Sequence, residues 1–223
     1  MDTTGYTPEK TALLFVDPYN DFLAEGGKMW PYVKDVAESV GLHGNLRRVT
    51  TAVREAGITV FIVPHHRWEP GDFEKWDHPN PDQLGTARLQ VFAKNTWGSE
   101  WHPDFAPQPG DVIAKEHWGQ NGFANTDLDI QLKQRGIRKV IVIGLIANTC
   151  IEATARYAME LGYHVTLVKD ATSAFSHDRM HAAHMLNGPN FAHAIMTAAE
   201  LVAAIKESDS SRREESQTLA AAV

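Results

Sequence analysis

Three residue types that together can carry out acyl transfer sit far apart in this chain: Asp17 in "ALLFVDPYNDF", Lys115 in "DVIAKEHW" and Cys150 in "VIVIGLIANTC". Cys150 is the only cysteine, so it forms no intrachain disulfide and is left for packing or for reactivity. A free thiol titrates near pH ~8.5, and a helix N-terminus or a neighbouring cation shifts it toward the thiolate by roughly one to several units. An aspartate within hydrogen-bond reach can take the thiol proton and return it to a leaving amine, while a lysine balances charge and orients the pair. Backbone N–H groups of "GLIANTC" can receive the oxyanion that forms. Each residue also has a duller reading. A lone cysteine is commonly a small core residue, an aspartate after a strand is commonly a turn residue, and a lysine at a strand end is commonly a solvated charge.

What favours chemistry is that the surrounding elements bring all three to one edge. "KTALLFVD" (10–17) reads as a buried strand ending in Asp17. Further strands follow at 58–66, 111–118, 139–146 and 164–171. A helix is expected over 34–56, stopped by Gly57, with others over 126–136, 150–162 and 188–206. Strands alternating with helices predict an α/β fold, a three-layer α-β-α sandwich with a mainly parallel, Rossmann-like central sheet. Ligands of such sheets bind beyond the carboxyl ends of the strands, and Asp17, Lys115 and Cys150 all fall at those ends. The stretch 67–110, rich in Pro, Gly and Trp, is too long for a plain connection and is expected to serve the site or a subunit contact. Residues 1–206 read as one domain, and the polar 207–223 as a disordered tail.

The net charge of −7, without a basic block, argues against nucleic acid, and no run reaches the roughly 18 apolar residues of a membrane span. No G-x-G-x-x-G or G-x-x-x-x-G-K-[ST] pattern follows a strand, which sets a nucleotide-binding role aside. A soluble cytoplasmic protein with a small-molecule partner is expected, the free thiol matching a reducing compartment.

In "ALLFVDPYNDF" and in the block from "VIAKEHWGQNGFANTDLD" to "LGYHVTLVKDA", with Phe123, Thr126, Leu128, Gly144 and Thr154, the chain resembles the isochorismatase-like cysteine hydrolases over roughly residues 8–205. That group includes nicotinamidases, N-carbamoylsarcosine and ureidoacrylate amidohydrolases and isochorismatases. The resemblance implies a catalytic Asp17, Lys115 and Cys150, a cis peptide between Leu145 and Ile146, and oxyanion donors in the backbone amides of Ile146 and Cys150. It implies hydrolysis of a C–N bond in a small amide, ureide or carbamoyl compound through a thioester on Cys150, without a cofactor, by a homo-oligomer. The alternatives are vinyl ether hydrolysis of the isochorismatase kind and a catalytically silent scaffold.

Two departures stand out. Tyr19 occupies a place where many members carry glutamine, and Arg67 and Glu69 flank Trp68 where nicotinamidases hold a metal through Asp and His. No metal is expected. His181 and His184 have helical spacing but no third ligand in register, and are expected to be solvated or at an interface. Tyr19, Phe22, Trp118 and Phe123 are candidate pocket walls. Of His65 and His66, which face opposite ways on a strand, His66 is expected to reach the pocket.

Overall fold

A computed structural model describes residues 5–221. Six parallel strands form one sheet in the order β3-β2-β1-β4-β5-β6: β1 Thr11–Val16, β2 Thr59–Val63, β3 Val112–Ile113, β4 Lys139–Leu145, β5 His164–Ser173 and β6 Ala194–Met196. β1 is buried along its whole length because both of its faces are covered. Leu13 and Phe15 pack toward α2 (Trp30–Val40), α3 (Leu42–Glu55) and α8 (Ala198–Ala221), after a short α1 (Asn20–Leu23). Ala12, Leu14 and Val16 pack toward α5 (Leu128–Gln134) and α6 (Glu152–Glu160). This is the expected three-layer sandwich. α4 (Pro81–Leu89) lies within the long insertion, and α7 (His177–His181) follows β5.

Several elements depart from the sequence reading. The single helix expected over 34–56 is two helices hinged at Gly41, which takes φ +66°. Glycine enters that left-handed region without the Cβ penalty, and its N–H caps α2 on the carbonyls of Ala37 and Glu38. The helix expected over 188–206 starts only at Ala198, because Ala194–Met196 pairs with Thr166–Val168 as a sixth strand. Thr197 and Glu200 form the reciprocal cap that starts α8, Thr197 N–H on Glu200 Oε2 at 2.7 Å and Glu200 N–H on Thr197 Oγ1 at 3.2 Å. From 207 onward the chain continues α8 through Ala221 instead of forming an irregular tail. Ser208 Oγ accepts the Tyr6 N–H at 2.9 Å and Arg212 meets Glu9 at 3.2 Å, so this helix also holds the N-terminal segment. Residues 222 and 223 of the expected tail lie outside the described residues.

The order of the strands creates the site. β1 connects toward β2 on one side, while β4 lies on its other side and connects onward to β5. The chains leaving β1 and β4 therefore part, opening a crevice at their carboxyl ends. Asp17 follows β1 and Cys150 follows β4.

Candidate active site

Asp17 is fully buried and has φ +55°. Aspartate is among the few residue types that enter this region, and here it turns the chain out of β1, with Asp17 N–H on Val63 O at 3.1 Å and Tyr19 N–H on Asp17 O at 2.8 Å. β4 approaches closely at this point. Gly144, paired with Val16, has φ +114°, and a Cβ there would lie 2.1 Å from the Val16 carbonyl oxygen. Beyond β4 the Leu145–Ile146 peptide is cis, as the resemblance implied, and a π-helical turn over Ala147–Ile151 leads into α6. Cys150 sits in that turn, 7% exposed, at the wall of a cavity of about 280 Å³.

The Asp17 carboxylate is near enough to the Cys150 thiol to act on it through its charge. The buried Asp17 Oδ2 accepts no hydrogen bond and is left free to take a proton. The thiol titrates well above its ordinary range. Burial is the main cause and the Asp17 carboxylate adds to it, while the Thr149 hydroxyl and the Ile146 N–H at the sulfur oppose them without prevailing. The expectation of a resting thiolate is thereby corrected: a sulfur out of water beside an anion keeps its proton.

The cation at Asp17 is not the expected one. Lys115 is exposed, with its backbone N–H on Asp127 Oδ1 at 2.7 Å, and its ammonium makes no contact with Asp17 or Cys150. Fully buried His117 fills the place instead, with Nε2 3.1 Å from Asp17 Oδ1. Its Nδ1 lies 2.7 Å from the Gly119 carbonyl oxygen. A carboxylate and a carbonyl both accept, so the ring satisfies both only by donating from both nitrogens, which makes it an imidazolium. Its pKa is raised accordingly: burial pushes it down, but the Asp17 charge and hydrogen bond, the Gly119 carbonyl and the Glu116 charge outweigh that.

A bulge explains the substitution. Ile62 pairs with Ile113 and His65 with His117, so three steps along one strand match four along the other. The extra residue reverses which side chains face inward. Ala114 is buried, Lys115 is exposed with Ile113, and the next inward position is His117. Backbone bonds on both sides of the ring lock it there, His117 N–H on Pro64 O at 2.9 Å and His66 N–H on His117 O at 2.8 Å.

Of the adjacent histidines, His65 and not His66 lines the cavity. Its Nδ1–H donates to the His66 carbonyl at 2.8 Å, and burial, with the positive His117 nearby, lowers its pKa to about 4. It is a neutral ring with Nε2 as an acceptor. His66 turns away to Asp72 (2.8 Å) and Glu116 (3.3 Å) and stacks on Trp118 with ring centres 3.6 Å apart. Phe22 and Ile146 line the cavity, whereas Tyr19, Trp118 and Phe123 do not. Tyr19 is buried behind it, donating to His65 O at 2.9 Å and stacking on Trp101. Trp118 is 40% exposed, and Phe123 belongs to the core beneath Cys150. His184 is also corrected: it is buried, with Nε2 2.7 Å from Thr172 Oγ1. Among the described residues no three His, Cys, Asp or Glu side chains converge as metal ligands.

The outer wall comes from the insertion. The N-cap Asn80 and, from α4, Pro81, Asp82, Gln83, Gly85, Thr86, Arg88 and Leu89 line the cavity together with Val91 and Phe92, as do Ile146 and Cys150. Asp21 fastens this wall, accepting the Lys28 N–H at 3.0 Å and the Phe92 N–H at 2.7 Å. The Asn80/Gln83 capping box starts α4, and Gln83 Nε2 donates to Trp118 O at 2.9 Å. The box was visible in "NPDQ"; nothing in the sequence said that the helix would face the thiol.

The isochorismatase domain family matches residues 11–200. The chain belongs to that family. It is 29% identical to the ureidoacrylate amidohydrolase RutB of Rhizobium rhizogenes over 211 residues, covering 90% of this chain and 85% of that protein. A cysteine hydrolase from Pseudomonas syringae pv. phaseolicola superposes with a TM-score of 0.77 at 27% identity, over 93% of this chain and all of that one. An N-carbamoylsarcosine amidase from Thermoplasma acidophilum does so with a TM-score of 0.61 at 26% identity, over 85% and 96%. The isochorismatase family thus accounts for the sheet order and the crevice. His117 at Asp17 belongs to the geometry of this chain.

Proposed function

We propose that this isochorismatase-family chain is a cysteine amidohydrolase that cleaves a C–N bond of a small amide, ureide or carbamoyl compound. The observation that carries the reading is the buried Asp17 set between the imidazolium of His117 and the thiol of Cys150, at the wall of a cavity of small-molecule size. The names of the ureidoacrylate and N-carbamoylsarcosine relatives support the bond type.

In this reading Cys150 rests as a thiol and Asp17 removes its proton as sulfur attacks the carbonyl carbon. A C–S bond forms, and the carbonyl electron pair moves to oxygen, where the N–H groups of Ile146 and Cys150 receive it. The tetrahedral centre collapses, the C–N bond breaks, and Asp17 gives its proton to the departing amine nitrogen. Water, deprotonated by Asp17, then attacks the thioester, and sulfur leaves and is reprotonated. His117 supplies the positive charge that pairs with Asp17 throughout, the role the family resemblance implies for Lys115.

The test is intact-mass analysis during turnover of ureidoacrylate and N-carbamoyl compounds. An acyl adduct on wild-type protein that is missing from Cys150→Ala, together with loss of ammonia release in that variant, is the expected result. Full turnover by Cys150→Ala removes the thioester route.

A further inference from the structure

At the inner end of the cavity Asp17 Oδ2 has no hydrogen-bond partner, and the mechanism uses it to take the thiol proton. A second acceptor there is also unpartnered, and the mechanism does not use it: Nε2 of His65. The other ring nitrogen, Nδ1–H, is fixed on the His66 carbonyl at 2.8 Å. Nε2 bonds to no group among the described residues, and it is open to the cavity that Cys150 and Thr149 also line. The Thr149 hydroxyl is turned to Ile146 O at 3.4 Å, so it does not occupy the histidine.

The ring is held as firmly as the reacting groups. Its backbone pairs with that of His117, the Tyr19 hydroxyl donates to its carbonyl at 2.9 Å, and Phe92 packs on it with ring centres 5.5 Å apart. It meets His117 edge to face at 5.1 Å, and His117 bonds Asp17. His65 therefore stands on the Asp17 side of the sulfur, the side from which the departing nitrogen receives its proton. With its pKa lowered to about 4 by burial and by His117, the ring is too weak a base to remove a proton near neutral pH, and its lone pair only holds a hydrogen. The hydrogen an amide offers is the N–H of its nitrogen, since its carbonyl oxygen is itself an acceptor. That nitrogen is planar in the substrate and becomes pyramidal as sulfur adds, and its lone pair must then face Asp17 to be protonated. An acceptor that grips one N–H decides which way the lone pair points.

We infer that His65 is a specificity-determining residue, its Nε2 accepting an N–H of the scissile nitrogen and turning the lone pair of that nitrogen toward Asp17. The site thereby selects a leaving nitrogen that carries a hydrogen over a fully substituted nitrogen or an oxygen. This rests on the amidohydrolase reading for the reaction and goes beyond it in naming the residue that reads the leaving atom.

The experiment compares ureidoacrylate with p-nitrophenyl acetate, whose leaving oxygen has no hydrogen to offer, in wild-type protein, His65→Leu and His65→Gln. In His65→Leu the ratio of kcat/KM for ureidoacrylate to that for the ester is expected to fall about tenfold or more, mainly through kcat. His65→Gln, which keeps an acceptor oxygen, is expected to recover part of the loss. An unchanged ratio overturns the inference. A second measurement needs neither turnover nor a change at His65: nitrogen NMR of histidine-labelled Cys150→Ala protein titrated with acetamide and with N,N-dimethylacetamide. An upfield shift of the His65 Nε2 resonance by acetamide alone upholds the inference, and equal shifts, or none, refute it. If wild-type protein does not hydrolyse ureidoacrylate, the reaction assignment fails for that compound while the resonance still decides His65.

Discussion

The inner and outer walls of the cavity are made by opposite means. The inner wall is the carboxyl edge of the sheet, where Asp17, His117 and Ile146 are almost completely buried and backbone bonds fix each one. The outer wall is a helix with a single buried residue, held by a few polar contacts from Asp21, Gln83 and Gln120. Bond-breaking groups need positions held to a fraction of an ångström and a dry setting. Groups that recognise the rest of a substrate can be carried by a segment of lower local stability that adjusts to it. Changes at the inner wall should therefore act on kcat, and changes at the outer wall on KM and selectivity.

The largest effect is expected from Cys150→Ala or Asp17→Asn, each lowering kcat by about 10⁴-fold or more while a substrate still binds. Loss of binding along with turnover, measured by calorimetry, would blur the division between the walls. His117→Gln should cost on the order of 10²- to 10³-fold in kcat with little change in KM. Its pH behaviour sharpens the test. A raised His117 pKa means that the imidazolium is present at low pH and lost as pH rises through that value, so wild-type activity should fall on the alkaline side. His117→Lys, with a permanent cation, should move that fall to higher pH, and an unshifted alkaline limb would detach it from His117.

Gly144→Ala places a Cβ 2.1 Å from the Val16 oxygen at φ +114°. It should lower stability by about 3 kcal/mol or more, read as a drop in thermal midpoint. Asp21→Ala strips the acceptor from the Phe92 N–H of the outer wall and from the Lys28 N–H, and is expected to raise KM roughly tenfold, with a stability loss of about 1–3 kcal/mol. An equal fall in kcat would mean that the walls are one mechanical unit. Smallest of all, Lys115→Ala should leave kcat/KM within about twofold, because an exposed charge outside the cavity contributes little.

The period and composition of β1, β2, β4 and β5 were plain in the sequence, and with them the sheet, its layers and the places of Asp17 and Cys150. Other local signals of equal clarity lie beneath a stronger pattern. The Thr197/Glu200 box marked the true start of α8, yet the apolar run through Ala194–Met196 looks helical until β5 is there to pair with it. Gly41 interrupts a helical pattern in the same quiet way, since only its left-handed geometry separates α2 from α3.

His117 shows where sequence stops. Lys115 and His117 lie two positions apart, so regular alternation gives them the same face, and no residue type announces the extra step between Ile113 and His117. The protonation of Cys150 was hidden for a related reason. A cation and a helix start are readable from the chain, but the burial and the facing carboxylate that outweigh them exist only after folding.

By itself the sequence determined the parallel α/β sandwich and the two strand ends that carry an acid and a thiol, because hydrophobic period and strand termination are local properties of the chain. The tertiary structure alone decided which cation stands beside Asp17, which histidine faces the cavity, and that α4 closes it. Each of those depends on the register between separate strands or on the docking of a distant segment, and neither is encoded within any one stretch of residues.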